Sequence, residues 1–233
     1  MFDPQLPTPR RGFLGRVAAT AAAFGLGQLV PNRLAGQDYP APATGGSGTS
    51  PQDPALTAWL GKIKGQYRQV YDAPEPNGGF AFAWARVFYI TNAETGAKDS
   101  DTSVVIVLRH AAIPFAMTDD AWAKYKFGEM FNINDPGTGA PSVRNYLFKA
   151  PPDKLPIPGM GIDQLLAAGV LMGVCNMAIK FYSMEAAAKM NMTAEQVQQE
   201  WRAAVIPTIQ VVPSGVWAVN RAQKAGCSYC FAG

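Results

Sequence analysis

Apolar positions along this chain recur with two periods that take turns. In residues 55–63, Leu56, Trp59, Leu60 and Ile63 return at three- and four-residue intervals, which predicts a short helix. Residues 67–71 set Tyr, Val and Tyr against polar neighbours, a period of two that predicts a strand. After a turn at 74–79, residues 80–92 are apolar and long enough for a buried helix, with Phe80, Trp84, Phe88 and Thr91 along one side. Residues 103–108 are apolar on both faces after the first serine and predict the central strand of a parallel sheet. A helix follows over 119–127, with Thr118 as its N-cap and Asp119 and Asp120 at the positive end of its dipole.

Residues 132–158 carry six prolines and read as a loop-like insert, long for a compact domain. Beyond it the alternation resumes with a short helix over 162–168, a strand over 170–174 that ends at Cys175, and a helix over 176–190. Thr193 opens another helix, with Gln196 at capping-box spacing, and it ends before Pro207. A strand over 208–212, a helix capped by Ser214 and stopped at Gly226, and a short strand over 228–231 complete the chain. Strand and helix alternate throughout, which predicts an α/β fold with a mainly parallel sheet. Ligands in such folds bind at the carboxyl ends of strands. Arg109, His110, Cys175 and Ser214 all fall there.

The first residues follow different rules. Arg10 and Arg11 precede Phe13 and Leu14, and a weakly hydrophobic Ala-rich stretch follows at 17–30. Paired arginines before such a segment are the pattern of a twin-arginine export signal. The stretch is 14 residues long, short of the ~20 a spanning helix needs, so no permanent anchor is expected. The expected organisation is a signal peptide at 1–36, a Pro/Gly/Ser/Thr-rich linker at 37–54 and one α/β domain at 55–233, located in the periplasm.

Charge narrows the range of partners. The formal net charge is +3, and the residues after 43 carry 16 basic against 15 acidic side chains. A near-neutral domain has no electrostatic footprint for nucleic acid. The chain also lacks GxGxxG, P-loop, HExxH, GxSxG and CxxCH motifs, so nucleotide binding, triad hydrolysis and covalent haem find no support, and no cofactor is expected.

Three cysteines remain, Cys175, Cys227 and Cys230, and an odd count leaves at least one thiol unpaired within the chain. Cys175 stands where a strand meets a helix, and a helix N-terminus favours the reactive thiolate. A buried packing cysteine is the plainer alternative. His110 is the single histidine; it can hold a thiolate, act as a base or ligate a metal, or simply bond a loop carbonyl. Arg109 can bind an anion or pair with a carboxylate. If residues 228–231 are extended, Cys227 and Cys230 lie about 10 Å apart, too far for a disulfide. Met177, Phe181 and Met184 recur at helical spacing and predict a core stripe.

From Val170 onward the chain resembles the DsrE/DsrF-like sulfur-relay superfamily. The residues that carry the likeness are Val174-Cys175-Asn176 after a strand, the segment from Ile209 through Pro213-Ser214-Gly215-Val216, and Arg221 through Gln223 to Gly226. The strand that ends in Arg109 and His110 resembles the second strand of that superfamily. The resemblance implies a flavodoxin-like three-layer α/β domain, a tendency to homo-oligomers, and a cysteine at the position of Cys175 that accepts a persulfide from a small sulfur species or a thiol partner. In that reading His110 and Ser214 line one strand-end cleft, where His110 holds the thiolate and the amide region of Ser214 receives an anionic sulfur species at a helix start, with Arg109 as a further binding residue. Two other functional readings stay open at this point. One is a non-enzymatic module that presents the 132–158 insert and the Trp122, Tyr125 and Phe127 segment to a partner. The other is a metal or haem site built from His110 and the cysteines.

Overall fold

The structure, a computed structural model, describes residues 53–233. The expected signal peptide and almost all of the expected linker lie outside the described residues. Helix α1 (Pro54–Leu60) starts on the side chain of Asp53, whose Oδ1 accepts from the Ala55 N–H at 2.9 Å. Strand β1 (Tyr67–Ala73), helix α2 (Phe80–Glu94) and strand β2 (Thr102–Leu108) follow. A 3-10 turn over His110–Ala116 leads into α3 (Asp119–Tyr125) and α4 (Phe127–Met130). The remaining elements are α5 (Ile162–Ala167), β3 (Leu171–Cys175), α6 (Asn176–Met190), α7 (Ala194–Ala203), β4 (Gln210–Val212), α8 (Gly215–Lys224) and β5 (Ser228–Phe231).

The five strands form one sheet in the order β4-β3-β2-β1-β5, and every pairing is parallel. Side-chain alternation along β2 divides the interior in two. Val104, Ile106 and Leu108 join the larger core, with Phe82, Phe115, Trp122, Ile179 and Trp201. Val105 and Val107 join the smaller one, with Trp59, Val212, Ala218, Val219 and Ala222. Helices α2, α6 and α7 therefore cover one face, and α1 and α8 cover the other. This is an α/β domain with a parallel central sheet flanked by helices, as the alternation of periods predicts.

Three local expectations hold in detail. Thr193 Oγ1 accepts from the Gln196 N–H at 3.2 Å, and Gln196 Oε1 accepts from the Thr193 N–H at 2.9 Å, so the capping box is complete. Ser214 caps α8 by accepting from the Trp217 N–H at 3.2 Å. Residues Ser228–Phe231 are extended and place Cys227 in the smaller core and Cys230 against the larger one. The two thiols point to opposite faces and are not bridged.

Other expectations need correction. In α2 the inward side is Ala81, Phe82, Ala85 and Tyr89, while Phe80 and Trp84 are exposed. In α6 the inward side is Ala178, Ile179, Ser183, Ala186 and Ala187, and Met177, Phe181 and Met184 are exposed rather than core. The reason is the same in both. These helices carry apolar residues all round, so period alone cannot say which stripe faces the sheet, and small residues allow the closer approach. Thr118 occupies the N-cap of α3 but makes no side-chain cap bond.

The 132–158 segment is also more than a loop. Ile133, Tyr146, Leu147 and Leu155 are buried in the larger core. Asn145, fully buried, donates through Nδ2 to the carbonyls of Phe115 and Met117, each at 3.0 Å, and its backbone N–H donates to Asp119 Oδ1 at 2.8 Å. The insert backbone passes so close to Gly128 that a Cβ there would sit 2.2 Å from the Ser142 nitrogen. Trp122, Tyr125 and Phe127 lie beneath it, buried. They cannot present a surface to a partner, which removes that version of a binding module.

Candidate functional site

The connections of the sheet decide where a ligand crevice forms. After β3 the chain turns to the face of α6; after β4 it turns to the opposite face, into α8. Neighbouring strands whose exits diverge leave a crevice beyond their carboxyl ends. Cys175 and Ser214 stand on its two sides, at the N-cap positions of α6 and α8.

Cys175 is an N-cap in a literal sense. Its backbone is extended (φ −71°, ψ 110°), and Sγ accepts from the Ala178 N–H at 3.3 Å. The residue is 6% exposed. The thiol therefore faces the first free N–H groups of a 15-residue helix, where negative charge is stabilised.

Arg109 closes the other side. Its Nε and Nη2 donate to the two oxygens of Asp72 at 2.6 and 2.9 Å, a bidentate pair. Asp72 is buried at the end of β1, and the Tyr229 hydroxyl donates to its Oδ2 at 2.9 Å. The hydrogen bonds to Asp72 raise the Arg109 pKa above its ordinary value, and the nearby charges of Asp72, Tyr229 and Cys175 act in the same direction. Burial, then the bond to Asp72, raises the Tyr229 hydroxyl. Arg109 thus spends its planar fork on a carboxylate, and the anion-binding role expected for it is reduced to what its remaining edge can offer.

Gly215 explains part of the Ser-Gly sequence at the start of α8. A Cβ on Gly215 would stand 2.5 Å from Cβ and 2.7 Å from Cδ of Arg109. The guanidinium stem runs through the space that any side chain there would need. Gly215→Ala is expected to cost about 1–3 kcal/mol by overpacking. A urea unfolding midpoint within error of the parent protein would refute that contact.

His110 goes elsewhere. Its backbone is left-handed (φ 48°), its side chain is 58% exposed, and Nδ1 lies 3.0 Å from Glu75 Oε1. The ring stands edge-on to Tyr182, with centroids 5.8 Å apart. Its polar partner is Glu75, not the Cys175 sulfur. Ser214 spends its hydroxyl on the cap of α8. Of the four residues expected in the cleft, Arg109 packs against Gly215 at the start of α8 and lies within electrostatic reach of Cys175, while the Ser214 hydroxyl caps α8 and His110 faces solvent. Sequence reasoning missed Asp72 and Tyr229. The one local signal was a lone acid in the buried half of β1; its nearness to Arg109 arises only once β1 and β2 pair, with Asp72 beside Val107.

Among the described residues no group of three or more His, Cys, Asp or Glu side chains is placed to hold a metal ion. No helix among them is long and apolar enough to cross a membrane. A depression of about 520 Å³ lies away from the strand ends, lined by Lys124, Lys126, Lys189, Tyr125 and Met130 among others. Each of those lysines is paired, with Glu200, Glu129 and Glu185 respectively. The depression therefore offers no uncommitted cation to a ligand, and the strand-end crevice is the better candidate.

No protein-family model matches the chain, and no curated protein matches it. Among solved structures it is similar to the protein of unknown function MTH1491 from Methanobacterium thermoautotrophicum. The identity is 13% and the TM-score 0.37, over 71% of this chain and 98% of that one. The functional reading rests on the residues themselves.

Proposed function

We propose that the protein is a DsrE/DsrF-like sulfur carrier, exported through the twin-arginine route, in which Cys175 holds a sulfur atom as a persulfide. The observation that carries this reading is the position of the Cys175 sulfur. It accepts an N–H at the start of α6 and lies within electrostatic reach of the Asp72-anchored Arg109. A helix N-terminus and a nearby cation are the surroundings in which reactive sulfur groups are generally found. Loading needs no external oxidant. The thiolate attacks the sulfane sulfur of thiosulfate or a polysulfide, a new S–S bond forms, the donor S–S bond breaks, and sulfite or the shortened polysulfide leaves with the electron pair. Low exposure of the thiol restricts the donor to a small or narrow one.

Mass spectrometry of protein incubated with polysulfide tests the proposal. The expected result is a gain of one sulfur atom on Cys175, absent in Cys175→Ser and reversed by a reductant. Cys227 is expected to stay unloaded, because burial pushes its thiol up to about 11. Burial of Cys175 itself favours a second reading, a packing cysteine in a non-enzymatic module. An unloaded Cys175, under conditions that load an established carrier, would select that second reading.

A further inference from the structure

The two edges of the sheet are built differently. Strand β4 has three residues, with Pro207 shortly before it and Pro213 directly after it. Short, proline-flanked edges resist pairing with another chain. Strand β5 reads Ser-Tyr-Cys-Phe, with no charge and no proline, and among the described residues only its β1 side is paired. It is short, at four residues, but lacks the charges and prolines that otherwise blunt an edge.

The rim around β5 is aromatic on both faces. Tyr229 and Phe231 pair in register with Val70 and Asp72 and share their face; they are 47% and 57% exposed. On the other face Cys230 pairs with Tyr71, whose hydroxyl donates to the Trp84 carbonyl at 3.1 Å. That bond sets the first two turns of α2 over the same rim, where Phe80 and Trp84 are 49% and 43% exposed with ring centroids 5.4 Å apart. Four half-exposed aromatic side chains offer on the order of 400 Å² of surface per copy. Two copies, with the strand edges themselves, reach roughly 1,000 Å², the lower end of specific interfaces.

We infer that β5 is the interface of a homodimer, in which β5 of a second copy pairs with it antiparallel across a two-fold axis. A two-fold normal to the sheet sets an edge strand against its own reversed copy, so one strand serves both sides. The occupant is a second copy because the rim is uncharged and self-complementary: it offers an unpaired backbone edge and aromatic rings, and needs the same from its partner. The result is a continuous ten-stranded sheet. It also reaches the crevice, since Tyr229 is bonded to Asp72, which holds Arg109. The inference does not depend on sulfur chemistry at Cys175.

The test is light scattering of the full-length protein across concentration, with hydrogen exchange read on β5. An interface of this size is expected to populate a dimer by roughly 100 µM. Amide protection over residues 228–231 should rise with concentration. Phe231→Asp and Phe80→Asp should each weaken the dimer at least ~10-fold. Val143→Asp, on an exposed part of the insert, should leave it unchanged. A monomer at that concentration, a dimer unaffected by Phe231→Asp, or a dimer without added protection on β5 would each overturn the inference.

Discussion

Replacing Asp72 by alanine is expected to lower unfolding free energy by about 2–4 kcal/mol and to slow sulfur loading of Cys175. The carboxylate is buried at the end of β1 and accepts three hydrogen bonds, two from Arg109 and one from Tyr229. Removing it leaves a guanidinium with its stem fixed against Gly215 and no opposite charge. A fully buried pair broken from one side costs ~3–5 kcal/mol; the range here is lower because 27% of the Arg109 side chain reaches solvent. The double change Asp72→Leu with Arg109→Met removes both charges and is expected to recover most of the loss. The two readouts separate packing from chemistry. The double variant should recover the urea midpoint but not the loading rate, because the cation within electrostatic reach of Cys175 is gone. An Asp72→Ala protein within ~0.5 kcal/mol of the parent would show that the pair is a surface contact of little consequence.

The geometry around Asp72 also shows where sequence reading works in this chain and where it stops. Alternating periods found the parallel α/β sheet because a two-faced strand such as β2 has a composition no other element shares. They could not order the strands. The position of β5 beside β1 depends on the single crossover that reverses direction, and that reversal sends α8 to the other face. The Asp72–Arg109–Tyr229 cluster joins residues up to 157 positions apart, so no local pattern announces it. Cys175 was legible because a thiol at a strand-to-helix junction is a local feature. His110 marks the limit of such local features: adjacency to Arg109 in sequence says nothing of a left-handed backbone that turns its ring to Glu75. Period alone does not say which stripe of an apolar helix faces the core, and the exposure of Phe80 and Trp84 on α2 is part of what makes the β5 rim visible as a surface.

The second large effect is alkaline instability beginning near pH 9. Burial raises the Cys227 thiol from its ordinary value near 9 to about 11, with the nearby Arg68 opposing. Burial also raises Tyr146 to about 12, and it raises Tyr71 and Tyr125 as well. For Tyr125 the hydrogen bond that its hydroxyl donates to Glu200 adds to the effect. Each of these groups holds its proton more tightly when folded than when unfolded. Its contribution is fully present below the unfolded pKa, because both states are then protonated. Above that value the unfolded chain releases a proton that the folded chain keeps, and stability falls until the folded pKa is passed. Cys227 opens this window between about 9 and 11 and contributes a loss on the order of 2–3 kcal/mol. The tyrosines take over from about 10 upward. Urea midpoints of the parent protein should therefore decline steadily from pH 9 to 11. Cys227→Ala, although less stable at pH 8 through lost packing, should decline less between pH 9 and 10. A parent midpoint that stays flat to pH 11 would show that these side chains open to water before they titrate, and equal slopes for the two proteins would take Cys227 out of the account.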